Sequence, residues 1–239
     1  MAARIALAIA ATVLAGLFSV ACEDFVLNIL DAPCHGSDFG RCREAQRELQ
    51  SIAQDSCPGH GRRVCLVPLG QVSPALVQHL VDHYREQYGL LVTVLRPLGI
   101  PDVVVDTDRD QLAGVALMDF MRGAFPDANA DPNVVLIGLT PLDLYYEEKD
   151  WRFAFGVRGM PEDPKGVVST FRMNPETFGK DRDDDLLFSR ARKMVSKYVG
   201  LLYFRLPESP DPDSPLYNSI LSLDALDRIG EPLPVAPTQ

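Results

Sequence analysis

Three short apolar runs, each separated from the next by a helical pattern, constrain this chain most. They are V-C-L-V (Val64 to Val67), L-L-V-T-V-L (Leu90 to Leu95) and V-V-L-I-G-L (Val134 to Leu139). Runs of this length, rich in β-branched residues, read as strands, and the third reads as a buried one. Between the first two, Ser73 supplies a helix N-cap and Pro74 a first helical residue. Val77, Leu80, Val81, Tyr84 and Tyr88 then form a stripe at helical spacing, and Gly89 fits the stop. A second helix is predicted to open at Asp106 or Thr107, with Leu112, Val115, Ala116, Met118, Phe120 and Met121 available for packing. Trp151 to Val157 and Gly166 to Met173 read as two further strands. Asp183 to Phe204 reads as a long helix, with acidic residues in the first turn where the helix dipole favours them. Strands and helices in this order make an α/β domain. A hydrophobic content of 46% over 239 residues is enough to give it a core.

The amino terminus carries a different signal. Arg4, the apolar run Ile5 to Val20 and the small residues Ser19-Val20-Ala21 have the pattern of a secretory signal over residues 1–21. The apolar run is short for a membrane span. Cys22 follows the expected cut and stands where a bacterial lipoprotein carries its lipid, behind an imperfect lipobox. Lipidation, simple cleavage and a retained anchor all remain open. Without Cys22 the chain keeps four cysteines: Cys34, Cys42, Cys57 and Cys65. An even number in an exported chain reads as two disulfides. Three pairings are available, and local pairing would close short loops. A zinc site including His35 and His60 is disfavoured, because the C-x7-C spacings do not match the usual metal clips. Residues 22–62 therefore form a cysteine-rich extension containing a polar helix from Arg43 to Gln54. Residues 231–239 form a Pro-rich tail expected to be disordered.

A formal charge of −10 argues against nucleic-acid binding, which demands a basic face. No nucleic-acid partner is expected, and contact with a membrane is expected only through a lipid on Cys22.

Six segments carry a resemblance. They are V-C-L-V-P-L-G-Q-V (Val64 to Val72), V-T-V-L-R-P-L (Val92 to Leu98), D-T-D-R-D-Q-L (Asp106 to Leu112), L-I-G-L-T-P-L-D-L-Y (Leu136 to Tyr145), W-R-F-A-F-G-V-R (Trp151 to Arg158) and S-L-D-A-L-D-R (Ser222 to Arg228). In this order they resemble the archaemetzincin family of zinc metallopeptidase-like proteins. The resemblance spans about residues 63–230 and implies a single metzincin-like (zincin) domain with a mixed β-sheet and helices. It also implies that Lys193 to Tyr203, K-M-V-S-K-Y-V-G-L-L-Y, occupies the place of the signature H-E-x-x-H-x-x-G-x-x-H. Only Gly200 matches. Lys193, Lys197 and Tyr203 stand at the three ligand positions, and Met194 stands at the general base.

An ammonium has no lone pair and repels a dication, and a thioether takes no proton from water. The resemblance implies a second, structural zinc on cysteines after this helix, but this chain has no cysteine after Cys65. The segment at the Met-turn, Leu216 to Ser219, lacks methionine. His79 and His83 form an H-x-x-x-H pair that reads as flanking the apolar stripe on a partly solvated face rather than as a metal site. No catalytic residue, metal ligand or cofactor is therefore assigned, with zinc kept for the alternative.

Three functional readings follow. The first is an exported, catalytically inactive pseudo-metallopeptidase with a peptide-binding or structural role. The second is an active zinc-dependent peptidase using other ligands. The third is a lipid-anchored envelope scaffold. The partners are an extended peptide or an envelope protein. A cleft strand carrying Trp151, Phe153 and Phe155 would receive the peptide by strand addition. Lys193 and Lys197 read as a solvated face, or as partners of Asp183 to Asp185, rather than as an anion site.

Overall fold

The computed structural model describes residues 39–235. Its centre is a five-stranded mixed sheet in the order β2 (Val92–Val94), β1 (Arg63–Pro68), β5 (Val134–Thr140), β8 (Lys165–Ser169), β7 (Gly156–Arg158). The first four strands run parallel, and β7 closes one edge antiparallel to β8. A smaller three-stranded sheet contains β3 (Val105–Asp106), β4 (Gln111–Ala113) and β6 (Leu144–Tyr145). The helices are α1 (Phe39–Ile52), α2 (Pro74–Tyr88), α3 (Gly114–Ala124), α4 (Pro126–Ala130), α5 (Asp184–Tyr198), extended by a π turn at Val199–Tyr203, and α6 (Leu223–Arg228).

The central strands are buried on both faces, and their alternation divides the molecule into two cores. Val64, Leu66, Val135 and Ile137 face α2 and α5, packing with Leu80, Tyr84, Val195 and Val199. Cys65, Val67, Val134 and Leu136 face the other way, against Leu117, Met121 and Phe125 of the α3–α4 layer. The helix over the first core begins and ends as its sequence predicts. Ser73 Oγ accepts from Leu76 N, and Gly89 takes the left-handed conformation (φ 62°) that a side chain would strain.

Several elements differ from expectation. The second helix opens at Gly114, not at Asp106 or Thr107. Asp106 does accept from the backbone of Asp108 and Arg109, as a cap would. The chain beyond it passes through a positive φ at Asp110 and pairs with β6, so the result is an Asx turn. Glu147, 31 and 32 residues away in sequence, accepts from Ala116 N and Val115 N and so caps α3 instead. The expected strand Trp151 to Val157 shrinks to Gly156–Arg158. Residues 151–155, which include Trp151, Phe153 and Phe155, are not strand. The strand predicted for Gly166 to Met173 is β8 followed by a single 3-10 turn at Phe171–Met173.

The tail also begins ordered. Leu233 is buried, and its N–H donates to Tyr88 Oη at 3.0 Å. Glu231 accepts from Arg192 and Ser189. Within the amino-terminal extension, Leu49 of α1 enters the first core. Arg62 donates to the carbonyl of Tyr203. The signal segment, Cys22 and Cys34 lie outside the described residues.

Cys57 and Cys65 form a disulfide, with Cα atoms 6.1 Å apart, which ties the end of the extension to β1. Replacing both by serine is expected to lower the unfolding free energy by about 2–3 kcal/mol, the chain-entropy value for so short a loop. Denaturant unfolding of the unreduced wild type beside the double variant measures it.

Candidate functional site

The helix bearing Lys193 to Tyr203 is seated on the sheet by one aromatic ring. Tyr198 is buried over Gly156 of β7 and Gly166 of β8. A Cβ on Gly156 would come within 2.5 Å of Tyr198 Oη, and one on Gly166 within 2.8 Å of the ring. The two glycines are therefore the socket for the ring. Two residues on, Gly200 has the same role against the chain that follows the helix. A Cβ there would meet Leu216 at 2.6 Å and Leu233 at 2.9 Å. Gly200 stays within the π turn, and the backbone reverses after it, where Arg205 has φ 55°.

A cleft of about 570 Å³ opens beside this helix. Residues 150–158 form one wall, Ile220 and Leu221 part of the other, and Met194, Lys197 and Tyr198 the floor. The first wall has little strand pairing of its own, so side chains brace it. Arg109 donates to the carbonyls of Trp151 and Arg152, and Gln111 donates to Arg152 O and to Asp143. Arg172 grips the Asp143 carboxylate with two nitrogens and lies over the Phe153 ring at 4.3 Å. Sequence reading assigned no role to Arg109, Gln111, Asp143 or Arg172. The signal was there: three of them fall inside the motif segments, as charged or amide groups too polar to bury unpaired.

The positions singled out on the helix separate in space. Met194 and Lys197 line the cleft. Lys193 reaches outward along the helix and donates to the carbonyls of Leu226 and Asp227. Tyr203 packs edge-on against Phe204 at 4.8 Å. Lys197 is buried, and its Nζ donates to Tyr217 O at 2.5 Å. Neither lysine reaches Asp183 to Asp185, so the expected pairing is corrected. Asp183 caps its own helix at Leu186 N, and Asp184 holds Arg182. Burial pulls the Lys197 pKa down to about 8, with Glu208 opposing and Arg158 reinforcing the shift. The ammonium therefore predominates at neutral pH.

These residues do not fit a zinc ion. Two ligand positions hold cations that point to different carbonyls, the third holds a phenol packed elsewhere, and the base position holds a buried thioether. Among the described residues, no group of three or more His, Cys, Asp or Glu side chains is placed to hold a metal. His79 sits against the guanidinium of Arg192 at 2.6 Å. His83 is enclosed by the rings of Tyr84 and Tyr88. Burial and Arg192 lower both imidazole pKa values, that of His83 to about 4, so the pair is neutral at pH 7.

The segment after the helix has a structural role. Ser222 caps α6 by accepting from Ala225 N. Asp227 accepts from two nitrogens of the buried Arg190, whose third donates to the carbonyl of Met173, and Arg228 pairs with Asp213.

No protein-family model matches the chain. It is similar to the archaemetzincin of Haloarcula marismortui, 31% identical over 140 residues that cover 57% of this chain and 76% of that protein. The archaemetzincin of Thermococcus kodakarensis is 29% identical over 147 residues, 59% and 76% of the two chains. Among solved structures, the archaemetzincin of Methanopyrus kandleri superposes with a TM-score of 0.57 at 26% identity, over 73% of this chain and 90% of that one. A zinc-dependent peptidase from Methanocorpusculum labreanum superposes with a TM-score of 0.59 at 23% identity, over 71% and 95%.

Gly200→Ala is expected to lower stability by about 1–3 kcal/mol, because the new methyl overlaps two packed leucines. Thermal or denaturant unfolding measures the loss. Lys197→Met is expected to do the opposite. Below pH 8 both folded and unfolded chains carry the Lys197 proton, so the cost of burying the ammonium is present in full. Between about pH 8 and the ordinary lysine range the folded state binds fewer protons, and wild-type stability rises with pH. The variant should therefore be more stable by about 1–3 kcal/mol at pH 7, with the gain shrinking above pH 8. Denaturant titrations at pH 7 and pH 10 test both statements.

Proposed function

This chain belongs to the archaemetzincin family, and we propose that it works as a non-hydrolytic member that binds peptide in the inherited cleft. The observation that carries this reading is the pairing of an open cleft with a floor of Met194 and Lys197. Peptide hydrolysis by this class of site needs a metal to polarise the carbonyl and a base to activate water. Neither floor side chain supplies either. The cleft itself is not collapsed. Its wall is braced by Arg109, Gln111 and Arg172, and β7 lies beside it at the sheet edge with a single strand neighbour. An extended peptide would lie along this edge, its backbone facing β7 and its side chains among Phe153, Phe155 and Ile220.

Export belongs to the same reading. It is supported by Arg4 and the apolar run Ile5 to Val20, with Cys22 as the lipid-bearing first residue of the mature protein. The Cys57–Cys65 bond is of a kind that persists in oxidising compartments.

The test is purified protein incubated with zinc and an unfolded protein substrate, with metal content read after dialysis. We expect no stoichiometric zinc and no chelator-sensitive cleavage, together with saturable peptide binding. About one zinc retained per chain, with cleavage that a chelator stops, would overturn the reading.

A further inference from the structure

Lys197 is an unusual residue to find on the floor of a cleft. Lysine is seldom buried unless an anion accompanies it. Here only 7% of the residue is exposed, and the one recorded partner of its Nζ is the carbonyl of Tyr217. Among the described residues, no carboxylate lies within 4.0 Å of that nitrogen. Glu208, whose charge acts on Lys197, is paired with Arg158 at 2.8 Å. An ammonium has three donors, so two remain for a ligand.

The surroundings agree in sign. The cleft is lined by the cations Lys197, Arg152 and Arg158, the last of them paired with Glu208, against the single carboxylate of Asp150, in a chain whose formal charge is −10. The rim is apolar. Trp151, Met160 and Leu221 are 45%, 64% and 63% exposed, and all three belong to this cleft.

We propose that the cleft is a receptor for the free C-terminal carboxylate of an extended peptide, with the Lys197 ammonium as the anion-binding group and the apolar rim receiving the last side chains. This rests on the reading of the cleft as a peptide-binding site. An internal stretch of peptide would set a neutral amide over Lys197 and leave the ammonium uncompensated. An acidic side chain would supply charge but leave the apolar walls unfilled at that residue. A chain end does both: its carboxylate meets Lys197 while its own side chain enters the wall. The group at this point of the helix also changes the chemistry. A lysine monocation attracts a finished carboxylate without activating water against an amide.

The experiment compares peptides with apolar ends, made as free acids and as C-terminal amides, on the disulfide-bonded protein and on Lys197→Met. Calorimetry gives the affinities, and Trp151, the only tryptophan, gives an independent fluorescence signal from the rim. Circular dichroism establishes that the variant is folded. We expect free acids to bind wild type about tenfold more tightly than the amides, the scale of one charge-assisted hydrogen bond. The variant should bind both at the amide level. Equal affinity of acids and amides for wild type would overturn the inference while leaving peptide binding intact. A preference that persists in Lys197→Met would overturn it too, as would amides with an internal glutamate binding as tightly as the acids. No binding of any peptide, or cleavage of one, would remove the underlying reading and this inference with it.

Discussion

The contact on which the site depends is the seating of Tyr198 over Gly156 and Gly166. A phenol ring can come this close to a sheet only where the two strands beneath it carry no side chain at the contact. This contact sets the height of α5 over β7 and β8. It also sets which turn of the helix meets the cleft. Gly200 then lets Leu216 and Leu233 close on the helix end, so the segment bearing the Tyr217 carbonyl is brought to Lys197. Enlarging any of the three glycines would move the floor relative to the wall.

The wall is held by a different kind of force. Residues 151–155 are not strand, and the carbonyls of Trp151 and Arg152 are satisfied by Arg109 and Gln111. Those donors are themselves ordered: Arg109 lies over the Tyr145 ring, and Gln111 is fixed by the buried Asp143, which Arg172 neutralises. A polar network of this kind is rigid only when every member is satisfied. The cleft therefore joins an apolar seat under the helix to a charged brace behind the wall. Burial works against the ammonium on its floor and pulls the Lys197 pKa down to about 8. That is the pattern expected of a residue placed for binding rather than for packing.

The sequence made part of this legible. The Ser73 cap, the Gly89 stop, the central strands and the long helix from Asp183 all follow from local chemistry, and the structure has each of them. The order of six segments pointed to the family. Two signals misled. Asp106 has the side chain of an N-cap, yet it makes an Asx turn, because the residues that cap α3 and pair with β4 lie some thirty positions downstream. Trp151 to Val157 alternates like a strand, but only Gly156 and Val157 of it pair with β8, and the residues before them are held by Arg109, Gln111 and the carbonyl of Leu144.

The sequence by itself determined the α/β order, the family, and the absence of imidazole and carboxylate from positions 193, 194, 197 and 203, where the family's chemistry would sit. Those properties depend on residue type and short-range periodicity. The tertiary structure alone decided that Lys193 and Lys197, one turn apart, part ways. Lys193 turns out to the α6 carbonyls, while Lys197 is enclosed at the cleft floor without a carboxylate beside it. Helical spacing places two side chains on one face, but what they meet there is set by segments 20 to 34 residues further along the chain. Burial, and with it the charge left uncompensated, is a property of that assembly.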